Sequence, residues 1–525
     1  VEATTQPAAA PHVRRGDDGR PHPPGDYPVV VVGSGPGGLQ VAYSLRARGI
    51  EAAVISGDDA PGGMFRRWPF FQRLLSWTKP YAPAERGTRA YERFDWNSLL
   101  ADEPGAASLQ ASFMDGTSYF PSRPEMQRNL EAFVERTELP IRYGCRWEAT
   151  RVEDGADGRR FVLETSDGEY RCRYPIFAVG VAEPWRAKIP GIELAHHYAD
   201  VRPPESYAGR RVFIIGKRNS GFELASGLLP WAGSITLASP SPAKLSVVTR
   251  SLVGVRARYV QPFEDHALGG GVGIIDASIE AIEPADGAML VRVRRSDTGD
   301  ALEFPADDVI EATGFVAPLR DLADLGVAIF GQSRLPAQTT WWESATVPGI
   351  FFAGTLTQAQ AGLKKHGIPP NSGAVHGHRY NGRLLAGHLA ETAFGQSHEA
   401  VRVAEDRVIR YLLDEACRAP ELWHQKAFFA RVISVSPEAG LLDEGIEPLA
   451  AFLDAPSGPQ GSPDAVAMTV EADGTGDIFP VVYVRHAGEV SEIGLPPHPA
   501  LDFATPEHEA ALAAALLPLG IRAAR

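Results

Sequence analysis

Two glycine-rich turns hold the residue types that could do chemistry. Gly33-Ser34-Gly35-Pro36-Gly37-Gly38 follows the apolar run Pro28 to Val32, and Gly216-Lys217-Arg218-Asn219-Ser220-Gly221 follows Arg211 to Ile215. Each stands where a strand hands over to a helix. Glycines there allow a tight turn and let backbone N–H groups approach a pyrophosphate at a helix N-terminus. One such turn says little. Two, well separated, suggest two dinucleotides, and so electron transfer from a nicotinamide to a flavin. Val309 to Phe315, with its Ala312-Thr313-Gly314 turn, and Gly349 to Thr355, with its Gly354-Thr355 end, point the same way. Either alone reads as an ordinary buried strand. In this order they read as turns that bring the chain back beside FAD.

The FAD-side residues follow from that frame. Gly33, Gly35, Pro36 and Gly38 form the turn. Ser56 or Asp58, at the end of the second strand, is expected on the ribose. Gly62, Gly63 and Met64 pass close to the flavin ring, and Trp68 follows its edge. Gly354 and Thr355 close the return. A final helix from about Ser372 to Thr392 aims its N-terminus at the flavin pyrimidine, with Asn371 or Ser372 as its cap. On the nicotinamide side stand Gly216, Lys217, Arg218, Asn219, Ser220 and Gly221. Arg218 replaces the middle glycine and offers a charged fork for phosphate. The next strand ends in Ser239 and then Lys244, with no carboxylate for a ribose hydroxyl, which favours NADPH over NADH.

A formal charge of −14 means that a bound anion needs local cations. The candidates are Arg258, Arg256, Lys364, Lys365, Arg407 and Lys79. If the run Thr249 to Tyr259 is extended, Arg256 and Arg258 share one face. Lys79, among Trp77, Pro80 and Tyr81, is expected not to be wholly free in solvent. Each of these residues also has a plainer reading as a solvated surface cation. No side chain is assigned as catalytic acid or base, and no metal set is read.

The elements that must position these groups need a large α/β chain. At 525 residues, two to four domains are expected. The fold class read is α/β, with two Rossmann-like dinucleotide-binding domains (FAD and NADP) plus a C-terminal α+β region. Residues 1–27 read as a disordered leader, and the start at Val1 reads as a trimmed N-terminus. Residues 28–183 read as the first part of the FAD domain, 184–304 as the NADP domain, 305–394 as the second part of the FAD domain, and 395–525 as the C-terminal region. In that last region Ser397 to Cys417 has helical periodicity. A lid, an oligomerisation surface and a purely structural role are all open for it, so a homo-oligomer stays open too. No apolar run reaches the ~20 residues of a membrane span, and the acidic charge argues against nucleic acid. The three cysteines, Cys145, Cys172 and Cys417, form no Cys-x-x-Cys. That fits a reducing, cytoplasmic setting and disfavours a flavin that works through a dithiol.

The pattern resembles the class B flavin monooxygenases over roughly residues 28–394. The likeness rests on the first fingerprint, Phe120-Pro121-Ser122-Arg123, Asn219-Ser220-Gly221 and Ala312-Thr313-Gly314-Phe315. The family's linker signature is degenerate here, with Ile189-Pro190-Gly191 followed by His196-His197-Tyr198. Residues 216–221, the Lys364-Lys365-His366 loop and the added C-terminal region resemble bacterial amino-acid N-hydroxylases. The nearest likeness is to L-aspartate N-monooxygenases, which form nitrosuccinate in natural-product pathways. Eukaryotic secretory-pathway flavoproteins are similar in layout. Neither a signal peptide nor an ER-retention tail is read in this chain. The resemblance implies NADPH, FAD, molecular oxygen and a small-molecule substrate. It implies that a C4a-hydroperoxyflavin oxygenates a neutral amine, with repeated cycles toward a nitro group. Two rivals stay open: a class B monooxygenase for a thioether, ketone or non-acidic amine, and a non-catalytic flavin-bearing interaction protein.

Overall fold

The structure is a computed structural model, and it describes residues 13–66, 73–155, 158–246 and 254–522. The first sheet has the strand order Ala52–Ile55, Gly25–Val32, Gly168–Phe177, Gly158–Thr165, Trp147–Gly155. Gly25–Val32 runs parallel to both neighbours, with Val30 opposite Ala53 and Val32 opposite Phe177. Val29 to Val32 are all buried, the unbroken apolar run of a parallel strand covered on both faces. The short strand Phe351–Phe352 adds beside Gly168–Phe177, in parallel. Helix Pro36–Ala47 leaves the first fingerprint and crosses helix Val375–Thr392 closely. Gly382 lies at that crossing, where a Cβ would make a tight contact of 3.3 Å with the Val41 nitrogen. Helix Arg123–Thr137 starts at a capping box in which the Ser122 side chain accepts from Glu125 N and Glu125 accepts from Ser122 N.

The second sheet has the order Ala301–Ala306, Ala288–Arg295, Val272–Ala285, Ser234–Ser239, Arg211–Ile215, Asp308–Glu311, His196–His197. Asp308–Glu311 pairs in parallel with Arg211–Ile215, Ile310 lying opposite Ile214. This corrects the reading that returned the chain to the FAD domain at residue 305. All four residues of that strand are buried, and it lies between Arg211–Ile215 and the short edge strand His196–His197 of the second sheet, so the crossing comes after it.

The C-terminal region is a six-stranded antiparallel sheet in the order Val401–Val403, Gly440–Pro448, Phe429–Ser436, Asp464–Ala472, Ile478–His486, Glu489–Gly494. Helix Val408–Arg418 is shorter than the helix expected over 397–417. The alternating Val401-Arg402-Val403 pairs as an edge strand instead. One hydrophobic core runs from Val29 and Leu39 through Tyr380 to Leu412, Val466 and Val482, so the region is packed into the FAD domain. The expected disorder of the leader does not hold from Val13 onward. Arg14 lies over the Tyr27 ring at 3.8 Å, His22 is buried against the Pro140 carbonyl, and Asp18 pairs with Arg142 at 2.8 Å. Residues 1–12 lie outside the described residues. No helix among the described residues is long and apolar enough to cross a membrane.

Candidate flavin and nicotinamide site

A cavity of about 730 Å³ opens between the first two domains and reaches both fingerprints. That volume lies within the ~300–1,000 Å³ usual for ligand pockets. Its walls include Gly33 to Gly37, Ser56 to Asp58, Gly62 to Phe65, Arg73 to Ser76, Ala178 to Glu183, Gly354, Thr355 and Gly373 to Val375. From the second domain come Tyr198, Asn219, Ser220, Glu223 and Tyr259. Helix Pro36–Ala47 has Gly35 at its N-cap with no side-chain cap, so its first N–H groups are free for an anion. At Gly37 a Cβ would fall 2.1 Å from the Gly354 Cα, backbone against backbone. The two turns therefore touch only because residue 37 is glycine, while Gly354 is held at φ +67°, and a dinucleotide can lie against bare backbone. The residues present fit FAD.

The other FAD-side residues divide. Gly33, Gly35, Pro36, Ser56, Asp58, Gly62, Gly63, Met64, Gly354 and Thr355 line the cavity. Gly38 packs on the backbone of Gly33 behind it. The Ser56 hydroxyl is bonded to Ser34 Oγ at 2.8 Å and accepts from the Asp58 N–H at 3.2 Å, and both residues stand on the cavity wall. Trp68 lies outside the described residues. Asn371 and Ser372 do not cap the last helix, which starts at Val375 after Ala374. They are turned to the C-terminal region instead. Asn371 Nδ2 donates to the His424 carbonyl at 2.8 Å, and Ser372 Oγ accepts from Gln425 and Asn381, each at 3.0 Å.

In the second fingerprint Gly216 has φ +122°, and a Cβ there would meet the Ala312 carbonyl at 2.4 Å. Gly221 packs on Gly216. Lys217 is not a phosphate ligand: it is buried in an ion pair with Asp276. Arg218 is the exposed N-cap residue of helix Asn219–Leu228. Asn219 and Ser220 reach the cavity, whereas Ser239 and the exposed Lys244 do not line it.

The substrate cations fare differently from the expectation. The segment Ala257–Tyr259 is a 3-10 turn, not an extended strand, so the shared face of Arg256 and Arg258 is lost. Arg258 donates to the Leu74 carbonyl at 2.9 Å and lies over the Phe120 ring, joining the two domains. Lys365 is taken by the C-terminal sheet, donating to Glu471 at 3.0 Å, to the Tyr483 hydroxyl at 2.8 Å and to Glu492. Lys364 and Arg407 are exposed and do not line the cavity. Lys79 is likewise exposed, against the expectation that its neighbours would cover it, because its backbone alone is tied, to Phe94 and Tyr91.

Sequence reasoning missed Glu223. This carboxyl lies three residues beyond Ser220, the spacing that puts both on one helix face, and that spacing was the available signal. It accepts from the Tyr198 hydroxyl at 2.8 Å, the Tyr259 hydroxyl at 3.2 Å and the Arg73 N–H at 3.3 Å. Burial pushes it up to about 7 against the pull of those three donors. His378, on the flavin side, is buried, which brings its ring down to about 4. All three cysteines are buried and none lines the cavity. Burial pushes each thiol upward. Among the described residues no cluster of three or more His, Cys, Asp or Glu could hold a metal.

The family model for pyridine nucleotide-disulphide oxidoreductases matches residues 30–354, which include both fingerprints and both turns at the cavity. The chain belongs to this family. This oxidoreductase uses FAD and a nicotinamide dinucleotide, NAD(P)H, as its cofactors. The mouse FAD-dependent oxidoreductase domain-containing protein 2 is 30% identical over 395 residues, 70% of this chain and 57% of that protein. The chain thus spans little more than half the length of that relative. A flavin-containing monooxygenase from Stenotrophomonas maltophilia superposes with a TM-score of 0.52 at 21% identity, covering 71% of this chain and 99% of that one. The bacillithiol disulfide reductase Bdr of Staphylococcus aureus does so with a TM-score of 0.53 at 15% identity, covering 70% and 99%. These likenesses show a shared fold, and fold alone does not set the chemistry.

Proposed function

We propose that this oxidoreductase is an NADPH-dependent flavin monooxygenase that N-hydroxylates a small amino acid, L-aspartate first, with repeated cycles carrying the amine to nitrosuccinate. One observation carries the reading. A cavity shared by both fingerprints has no thiol on its described walls, so electrons delivered there have no dithiol of this chain to pass through, which supports transfer to oxygen. Bound FAD and NADPH supply hydride transfer and oxygen activation. The chain's own residues hold and orient. Helix Pro36–Ala47 takes the pyrophosphate and Asp58 the ribose. Asn219 and Ser220 bring the nicotinamide side into the same cavity. Arg258 and Tyr259 pin the second domain to residues 73–74 of the first. Phe65, Leu74 and Trp147 give the walls apolar surface that excludes water. Glu223 stands on the wall and exchanges a proton near neutrality.

The missing carboxylate after Ser239 supports NADPH over NADH. Buried unpaired thiols support a reducing, cytoplasmic setting. The partners in this reading are a small-molecule substrate and molecular oxygen, with neither nucleic acid nor membrane. The test incubates FAD-loaded protein with NADPH, oxygen and a panel of amino acids, and reads products by mass spectrometry. A hydroxylamine of aspartate, followed by nitrosuccinate, is expected. NADPH consumption with no oxygenated amino acid overturns the reading. An oxygenated thioether or ketone in its place moves the protein to the neutral-substrate branch of the same chemistry.

A further inference from the structure

A buried chain of hydrogen bonds runs from the C-terminal region to the flavin side of the cavity. Gln425 ends the short helix Pro420–His424 and is fully buried. Its Nε2 donates to Ser372 Oγ at 3.0 Å and to Asn381 Oδ1 at 2.9 Å. Asn381 Nδ2 in turn donates to Ser372 Oγ at 3.0 Å and to Thr357 Oγ1 at 2.8 Å. The Thr357 hydroxyl donates to the Gly354 carbonyl at 2.7 Å and lies 3.3 Å from the Ser372 carbonyl. Gly354 lines the cavity, and so do Gly373, Ala374 and Val375, which follow Ser372 directly. Gln425, Asn381, Ser372 and Thr357, none more than 1% exposed, thus join the C-terminal region to both flavin-side turns.

The chain between those turns is held from the same side. Asn371 donates to the carbonyl of His424, the residue before Gln425. His366 Nε2 lies 2.9 Å from one oxygen of the buried Glu471, and Lys365 donates to the other. At Gly362 a Cβ would stand 2.7 Å from the Phe428 ring, so backbone and ring are in close contact. The turns themselves have little to fix them. Helix Val375–Thr392 starts at the cavity with no side-chain cap. Glycine and alanine carry no side chain that could set their own course, and glycine is free to take many backbone conformations. The selection is made by Thr357 and Ser372, and the amide that orients both is itself oriented by Gln425. A buried network of this kind works only when every member is satisfied. Without Gln425, Asn381 Oδ1 loses its donor and the Asn381 amide is released.

We propose that Gln425 is a positioning residue for the flavin. It locks the Asn381 amide so that Thr357 and Ser372 hold the Gly354 and Gly373–Val375 turns in the course that bound FAD needs. The C-terminal region is then a part of the cofactor site, whatever substrate the flavin serves, and the proposal stands or falls independently of amine hydroxylation. Linkage makes the effect reciprocal: FAD in the cavity tightens the Gln425 attachment as much as Gln425 tightens FAD.

The test compares Gln425→Leu with Phe452→Leu in the full chain. Leucine keeps most of the bulk of Gln425 and removes both donors. Phe452 is buried in a separate apolar core of the same region, none of whose residues lines the cavity. Each protein is stripped of FAD and titrated with it, affinity being read by quenching of flavin fluorescence. Visible circular dichroism reports on the bound ring, and melting temperature on the fold. Gln425→Leu is expected to weaken FAD about tenfold, the cost of leaving a buried amide oxygen without its donor, and to change the visible dichroism. Phe452→Leu should lower the melting temperature at least as far and leave both flavin readouts at wild-type values. Thr357→Val should weaken FAD likewise, and the double variant with Gln425→Leu should lose little more than either single one. Should Gln425→Leu fail to fold, wild type carries the test: loading FAD should slow amide exchange at residues 425–429 as well as at 354–357 and 372–375. Wild-type affinity in Gln425→Leu, an equal loss in Phe452→Leu, fully additive losses in the double variant, or exchange at 425–429 that ignores FAD each overturns the proposal.

Discussion

Replacing Glu223 by glutamine should change how stability depends on pH. The carboxyl is 9% exposed and is pushed from an ordinary 4.5 up to about 7 by burial, the three donors from Tyr198, Tyr259 and Arg73 notwithstanding. Between those two values the folded chain keeps a proton that the unfolded chain has released. Stability from this group is therefore full below about 4.5 and falls as pH rises toward 7. Over that window the loss is about 3 kcal/mol, at about 1.4 kcal/mol for each tenfold change in proton activity. Glutamine does not titrate, so the variant loses this slope. The assay follows melting temperature by circular dichroism and by flavin release at intervals from pH 5 to pH 8. If the whole chain melts as one unit, the wild-type minus variant difference should move by about 3 °C across the series, and by several times that if the second domain melts alone. Its sign is set as well: the variant gains on wild type as pH rises. Parallel curves across the range would refute the buried-carboxyl argument, and a variant that loses ground at high pH would reverse it.

Gly37→Ala should abolish flavin loading, because its Cβ would strike the Gly354 backbone at 2.1 Å; visible absorbance after reconstitution with FAD should fall more than tenfold. Lys365→Met should destabilise the C-terminal sheet by about 3 kcal/mol, since it strips a buried ion pair from the fully buried Glu471; a melting temperature within 1 °C of wild type, about the assay's error, would contradict the clamp. Joint replacement of Cys145, Cys172 and Cys417 by alanine should leave NADPH oxidation within about twofold at temperatures where the protein stays folded, as the electrons have no route through a thiol. A large loss of turnover with flavin retained would restore the thiols to the mechanism.

The dinucleotide sites were legible because their cause is local. A glycine that must lack a Cβ, a helix that must start at an uncapped turn and an apolar strand before it occupy a few consecutive residues, and the pattern of Gly33 to Gly38 states all three. The strand Asp308–Glu311 was visible as a strand, but its sheet was not. Pairing with Arg211–Ile215 is a contact between segments about a hundred residues apart, and a short strand with Val309 and Ile310 at its middle fits either sheet. Glu223 was passed over because nothing in its neighbourhood of sequence announces Tyr198, Tyr259 and Arg73 around it.

The cations show the division most sharply. Arginine and lysine types, their number and a net charge of −14 are properties of the chain alone, and they require that any bound anion have a local clamp. Which cation is left over to serve is a question of partners. Lys365 meets Glu471, 106 positions away, and Arg258 meets the Leu74 carbonyl, 184 positions away. Arg256 meets no carboxylate among the described residues. A charge is set by one residue, but its neutralisation is set by whatever the fold carries to within about 4 Å of it. Only the packed tertiary structure decides that.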